Sequence, residues 1–232
     1  MKKGLFLFGA LLSFYAATGQ AWIQRTNLPA VGRHRATGIA IGNKGYIGLG
    51  HVNGTNVNII YKDWWEYDPS SDSWTQRADY PVNAGNYGAI AFATATRGYV
   101  GGGATLNNEF HEYNPQTNTW NAIANCPASP TDQGSFVVNN KGYVILGNLM
   151  WEYDPVTDTW TSKQNAPVTF GTWCTGFSIG SSGYMKSGPW LYEYKPGTNQ
   201  WLPRAAFPGA ASNAQSAFVR NGKGYIVTGY VG

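Results

Sequence analysis

Arg33, His34 and Arg35 are consecutive: two guanidiniums that invite a carboxylate, with an imidazole between them that can carry a proton near neutral pH. Further along stand His51 and Asn53, Asn86 and Tyr87, Asp132 and Gln133, Trp173, then Asn213 and Gln215. Amides, guanidiniums and aromatic rings together suit a neutral or mildly acidic hydroxylated ligand, because rings stack on apolar faces while amides bond hydroxyls. A sugar or glycan fits that description. These twelve side chains form the candidate ligand-binding set, and spacing alone assigns none of them a catalytic role. The three histidines, His34, His51 and His111, lack metal-ligand spacing, so neither a metal nor a cofactor is expected. A nucleophile elbow, a phosphate loop and a dinucleotide fingerprint are likewise not expected.

An internal repeat must position these groups. Trp22, Trp74, Trp120, Trp160 and Trp201 are each followed seven residues later by proline, and each is followed again by a Gly-Tyr pair, at Tyr46, Tyr99, Tyr143, Tyr184 and Tyr225. Glu-Tyr-x-Pro begins at Glu66, Glu112, Glu152 and Glu193, and its tyrosine precedes the next framework Trp by seven residues. Aromatic and polar residues alternate there, and x-Pro followed by small polar residues signals a tight turn, so each segment reads as a β-hairpin. A second hairpin is marked by the Asn-Lys-Gly runs at Asn43 and Asn140. Stretches of small residues before those turns, such as Ala36 to Ile41 and Gly88 to Ala93, suit innermost strands where units converge on an axis.

A residue found in every unit is architecture, since one ligand cannot need it at every blade. That removes the four recurring glutamates from acid–base chemistry and makes the five framework tryptophans packing residues. His111 fills the slot of Trp65, Trp151 and Tyr192 and is packing too. Length variation points to the site instead: from Gly-Tyr to Glu-Tyr the tyrosines lie 21, 14, 10 and 10 residues apart. Variable loops on a rigid support carry binding groups.

Charged residues are 12% of the 232, below the average of about 25%, while 43% are hydrophobic, which excludes a charged disordered chain. Residues 1–21 read as a secretory signal: a basic Lys2-Lys3 start, an apolar run and small residues before Trp22. A secreted, periplasmic or cell-surface location follows, with no membrane insertion after cleavage. Removing those residues lowers the net charge from +4 to +2, and the remaining cations are scattered, so nucleic acid is a poor partner. Cys126 and Cys174 are expected to be buried thiols rather than a bridge.

Four strands per roughly 45 residues, packed radially by aromatics, describe an all-β propeller blade. With the Gly-Tyr, Tyr-x-Pro and Trp landmarks, residues 22–232 resemble the kelch repeat family. The units run 22–73, 74–119, 120–159, 160–200 and 201–232, the last incomplete. Naming the blade strands a to d, the chain reads one d strand at Trp22, four complete sets and a final a and b, one strand short of five closed blades. The Trp22 strand is expected to close the ring, and a fragment of a longer propeller is the favoured reading. The family's paired glycine survives fully only at Gly102-Gly103. The resemblance implies that the b–c and d–a loops share one face, and that the protein is an exported binding module for a glycan, peptide or protein surface, without catalysis. The alternative it implies is a sugar mutarotase or epimerase resembling sialic acid mutarotases, with Arg33 and Arg35 for a carboxylate and Asp132 or His34 for proton transfer. A structural envelope or adhesion component is the third reading.

Overall fold

A computed structural model describes residues 22–209 and 212–229; the expected secretory signal lies outside the described residues. The first blade is built from β1 (Thr37–Ile41), β2 (Lys44–Gly48), β5 (Trp64–Asp68) and β6 (Ser73–Arg77), with the hairpin β3 (His51–Gly54) and β4 (Val57–Ile60) inserted in its longest loop. The second contains β7 (Ile90–Ala93), β8 (Gly98–Gly101), β9 (Phe110–Asn114) and β10 (Thr119–Ile123), with the one-turn helix α1 (Gly103–Leu106) between its middle strands. The third holds β11 (Ser135–Val138), β12 (Lys141–Leu146), β13 (Leu149–Asp154) and β14 (Thr159–Ser162), and the fourth β15 (Thr175–Ile179), β16 (Ser182–Ser187), β17 (Trp190–Lys195) and β18 (Gln200–Pro203). A two-stranded sheet, β19 (Ser216–Arg220) and β20 (Lys223–Val227), follows. Among the described residues the fold is therefore an all-β propeller with four antiparallel four-stranded blades. None of their helices is long and apolar enough to cross a membrane.

The inner strands β1, β7, β11, β15 and β19 pack in succession. Between blades the recurring aromatics form separate cores. Tyr46, Trp64 and Tyr113 fill the first seam, Phe92, Tyr99 and Tyr153 the second, and Phe136, Tyr143 and Tyr194 the third. Glycine before the repeat tyrosine permits this. A Cβ on Gly142 would lie 2.1 Å from the Phe92 ring of the preceding blade, and one on Gly183 2.1 Å from Phe136.

A clasp explains the spacing of the other landmarks. In the Glu-Tyr-x-Pro hairpin, Asp68, Asn114 and Asp154 accept the backbone N–H two residues on, fixing the turn. Four residues on from this position of the repeat, Asp72, Asn118, Asp158 and Asn199 occupy left-handed backbone positions and accept the hydroxyls of the Glu-Tyr tyrosines Tyr67, Tyr113, Tyr153 and Tyr194 at 2.6–2.9 Å. The same side chains also accept a backbone N–H from just beyond the last strand of the preceding blade, at Ala78, Ala124 and Gln164, or, for Asp72, from Thr26 ahead of the first blade. The framework indoles of Trp74, Trp120, Trp160 and Trp201 donate to the carbonyls of those four residues. Three of these clasps therefore join one blade to the next, and the first ties the segment at Thr26 to the first blade.

One expectation is corrected here. Residues 22–28 carry no strand; Thr26 is clasped to Asp72 and Trp74 beside the first blade. The recurring glutamates are satisfied inside their own blades: Glu66 accepts from Lys44, Tyr46 and Arg77, and Glu152 from Lys141 and Tyr143. Burial alone would raise the Glu66 pKa, but these donors, Arg77 foremost, pull it down to about 2. Cys126 and Cys174 are buried and free.

Candidate functional site

Just before each inner strand the chain makes one left-handed step, at Arg35, Gly88, Asp132, Trp173 and Ala214, with φ between 53° and 65°. These steps are stitched together by their own backbones. Gly88 N–H donates to Arg35 C=O at 3.0 Å, Asp132 to Gly88 at 2.9 Å, Trp173 to Asp132 at 2.5 Å and Ala214 to Trp173 at 3.0 Å. The ladder satisfies loop groups that would otherwise be orphaned near the axis. It also fixes where the side chains of Arg35, Asp132 and Trp173 start around a common mouth. Non-glycine residues seldom adopt this conformation, and a tryptophan there is an outlier of the kind that gathers at functional sites.

The mouth is a cavity of about 620 Å³, within the range of small-molecule sites. Eight of the twelve candidate residues line it, from separate units: His34, Arg35, His51 and Asn53 from the first, Asp132 and Gln133 from the third, Trp173 from the fourth and Gln215 from the last. A smaller, adjoining space of about 340 Å³ runs among the small residues of the inner strands, including Ala91, Ser135 and Gly176.

Arg35 and Asp132 form a bidentate ion pair, Nε to Oδ1 at 2.9 Å and Nη2 to Oδ2, and the guanidinium lies 4.4 Å over the Tyr87 ring. Gly88 makes room for the pair. A Cβ there would meet Asp132 Oδ1 at 2.6 Å and Arg35 Nη2 at 2.9 Å. His34 and His51 pair through their backbones, and their rings are 4.1 Å apart. His34 Nε2 bonds Asn53 Oδ1 at 2.8 Å. With the amide oxygen as acceptor, Nε2 carries the proton and Nδ1 is left as a base. His51 is buried, stacked at 3.8 Å on Tyr87, and neither ring nitrogen has a partner. Burial, reinforced by the charges of His34 and Arg35, lowers its pKa. Trp173 is 47% exposed at the rim.

Four candidates lie outside the lining. Arg33 is tied to Asp63 in a bidentate pair, donates to the Leu49 carbonyl and lies 3.7 Å over Tyr61, so it is unavailable as the second arm of a carboxylate clamp. Asn86 is fully buried; it donates to the Gly102 carbonyl and accepts from Tyr87 and Thr105 N–H, pinning two loops. Tyr87 supports His51 and Arg35 from behind. Asn213 accepts from Gly188 N–H at 3.3 Å.

Sequence reasoning missed Cys174, which lines the cavity and accepts from Gly134 N–H at 3.1 Å; burial pushes its thiol up to about 11, so it stays protonated. It also missed that Gly176 to Gly180 spells Gly-x-Ser-x-Gly. That stretch lies along β15 rather than at a strand-to-helix turn, and Ser178 Oγ accepts Val137 N–H at 3.2 Å, so it is not a nucleophile elbow. Among the described residues no cluster of His, Cys, Asp and Glu is suited to a metal.

No family model matches the chain. It is 28% identical over 158 residues to N-acetylneuraminate epimerase 2 of Escherichia coli O6:H1, strain CFT073, covering 63% of this chain and 39% of that protein. It is 29% identical over 156 residues to N-acetylneuraminate epimerase of Escherichia coli O157:H7, with the same coverage. The chain thus spans about two fifths of the length of these curated relatives. The solved structure of YjhT superposes with a TM-score of 0.69 at 19% identity, covering 86% of this chain and 72% of that one, a likeness of fold. A putative F-box/kelch-repeat protein of Arabidopsis thaliana is 32% identical over 126 residues, but these are only 48% of this chain and 35% of that protein.

These findings correct the kelch assignment: the chain is a β-propeller resembling the bacterial N-acetylneuraminate epimerases. The landmarks behind the kelch resemblance are the packing and clasp residues described above, which report blade construction rather than family. The expectation of a binding module without catalysis is overturned by the same comparisons, which favour a sugar epimerase or mutarotase.

Proposed function

We propose that the axial cavity catalyses the reversible opening and re-closure of a cyclic sugar at its anomeric carbon, as a mutarotase or epimerase. The observation that carries this reading is the similarity to N-acetylneuraminate epimerases over 63% of the chain. N-acetylneuraminate is therefore the first sugar to assay. The chemistry asks little of the protein. The anomeric hydroxyl loses its proton, the bond from the anomeric carbon to the ring oxygen breaks, and that oxygen takes up a proton; re-closure on the other face of the carbonyl reverses these steps. Both oxygens sit on one carbon, so a single group can carry the proton between them. His34 fits that role through Nδ1, because Asn53 holds Nε2 and fixes the ring. Asp132, held by Arg35, is the second candidate. Trp173 offers a stacking face for the sugar, and Gln133, Gln215 and Asn53 offer amides to its hydroxyls.

We also infer that β19 and β20 are the inner half of a fifth blade, since Ala214 continues the axial ladder. The basic start and apolar run of residues 1–21 support export to the periplasm, cell surface or medium. Polarimetry on a freshly dissolved single anomer tests the activity. The expected result is a faster approach to rotational equilibrium with protein present; an unchanged rate with folded protein, across N-acetylneuraminate and neutral sugars, removes the reading.

A further inference from the structure

The charge of the cavity names the class of sugar. Arg35 is the one lysine or arginine among the described residues that line the cavity, and its charge is matched by Asp132, whose carboxylate also faces the cavity. The pair is partly shielded from water, with 27% of the Arg35 side chain and 11% of the Asp132 side chain exposed. Arg33, the other cation of the triplet, is turned away to Asp63. The rest of the polar lining consists of amides and imidazoles: Asn53, Gln133, Gln215, His34 and His51. His51 adds no cation, since protonation would bury a charge between Tyr87 and His34 and beside Arg35, with Asp132 as the one facing carboxylate.

We propose that this cavity selects an uncharged sugar, a neutral or N-acetylated pyranose, over an acidic one. A carboxylate entering it would lose water and gain no unmatched cation, while meeting Asp132 at close range. Hydroxyls and an acetamido group find partners in the amides and imidazoles, and an apolar ring face finds Trp173. The inference rests on the sugar-isomerase reading above and narrows its substrate.

The test pairs two N-acetylated sugars that differ in charge, N-acetylmannosamine and N-acetylneuraminate. Anomeric exchange is measured by NMR and binding by titration calorimetry, on the full chain. Acceleration and binding of N-acetylmannosamine, with N-acetylneuraminate at least about tenfold weaker, supports the proposal; that ratio corresponds to about 1.4 kcal/mol. Equal or better handling of N-acetylneuraminate overturns it and leaves the isomerase reading standing. Acceleration of neither sugar, nor of a panel of neutral hexoses, sinks both. Asp132→Asn supplies a second arm independent of turnover. Removing the carboxylate leaves Arg35 unmatched, so N-acetylneuraminate should bind about tenfold more tightly than to the parent protein. If the variant, folded at the assay temperature, shows no gain for the acidic sugar, the charge argument is wrong.

Discussion

Replacing Gly88 by Ala tests whether the axial ladder builds the site. Gly88 sits at φ 65°, and a Cβ would press on both partners of the Arg35–Asp132 pair, at 2.9 and 2.6 Å. Left-handed backbone costs an alanine about 1–2 kcal/mol. Forcing apart a partly buried bidentate pair adds about 1–2 kcal/mol, discounted for the exposure of Arg35. The total of about 2–4 kcal/mol corresponds to a drop in Tm of roughly 5–15 °C for a chain of this size. Gly42→Ala is the control, because Gly42 has φ 61° but nothing within 4 Å of its Cβ position, and it lies in the β1–β2 turn away from the cavity. That variant carries the backbone cost alone, about 1–2 kcal/mol. Thermal unfolding by circular dichroism, with sugar exchange measured well below both transitions, separates the contributions. Gly88→Ala should lose exchange activity while Gly42→Ala keeps it. Equal melting temperatures and equal activity would refute the claim that Gly88 is there to admit the ion pair.

Three further outcomes follow from the contacts. Trp160→Phe keeps the aromatic body but removes the indole bond to the Ala124 carbonyl at 2.8 Å, so Tm should fall by the equivalent of about 1 kcal/mol, with activity retained. Glu66 has a folded-state pKa lowered to about 2 from 4.5, so its contribution is fully present above 4.5 and is lost as the pH falls toward 2; Glu66→Gln should flatten the fall of Tm across that window. His51 has a lowered pKa as well, so stability should decline below pH 6.5, where the unfolded chain takes up a proton that the folded one refuses. His51→Phe preserves the stack on Tyr87, removes two unpaired nitrogens and should make that decline shallower without lowering Tm, leaving the part due to His111, whose pKa burial also lowers.

The blades were legible because their construction repeats. A Trp seven residues after each Glu-Tyr tyrosine, and a glycine before each Gly-Tyr tyrosine, recur in register, and the clasps and seams show why each is needed. The axial ladder was not legible, since its positions hold Arg35, Gly88, Asp132, Trp173 and Ala214, five different residue types joined only by backbone bonds. Sequence reasoning nevertheless singled out three of them, because polar or aromatic residues in variable loops stand out against a repeating frame. It could not tell Arg33 from Arg35. The two are separated by one residue, yet one pairs with Asp63, 30 positions away, and the other with Asp132, 97 positions away. Asn86 misled for a similar reason: its role is set by the Gly102 carbonyl and Thr105 N–H, contacts that only the folded loops create.

The most direct test of the proposed activity is two-dimensional exchange NMR on an equilibrated sugar, comparing the parent protein with His34→Gln. Exchange cross-peaks between anomers report ring opening without any coupled reaction. Catalytic protein should produce cross-peaks absent from the sugar alone, and His34→Gln should lower their rate by about 100-fold or more, the usual share of a proton-transfer group, at unchanged Tm. Anomers that exchange no faster with the parent protein than without it would contradict the assignment of this cavity, and a His34→Gln variant as fast as the parent would contradict the role of His34 within it.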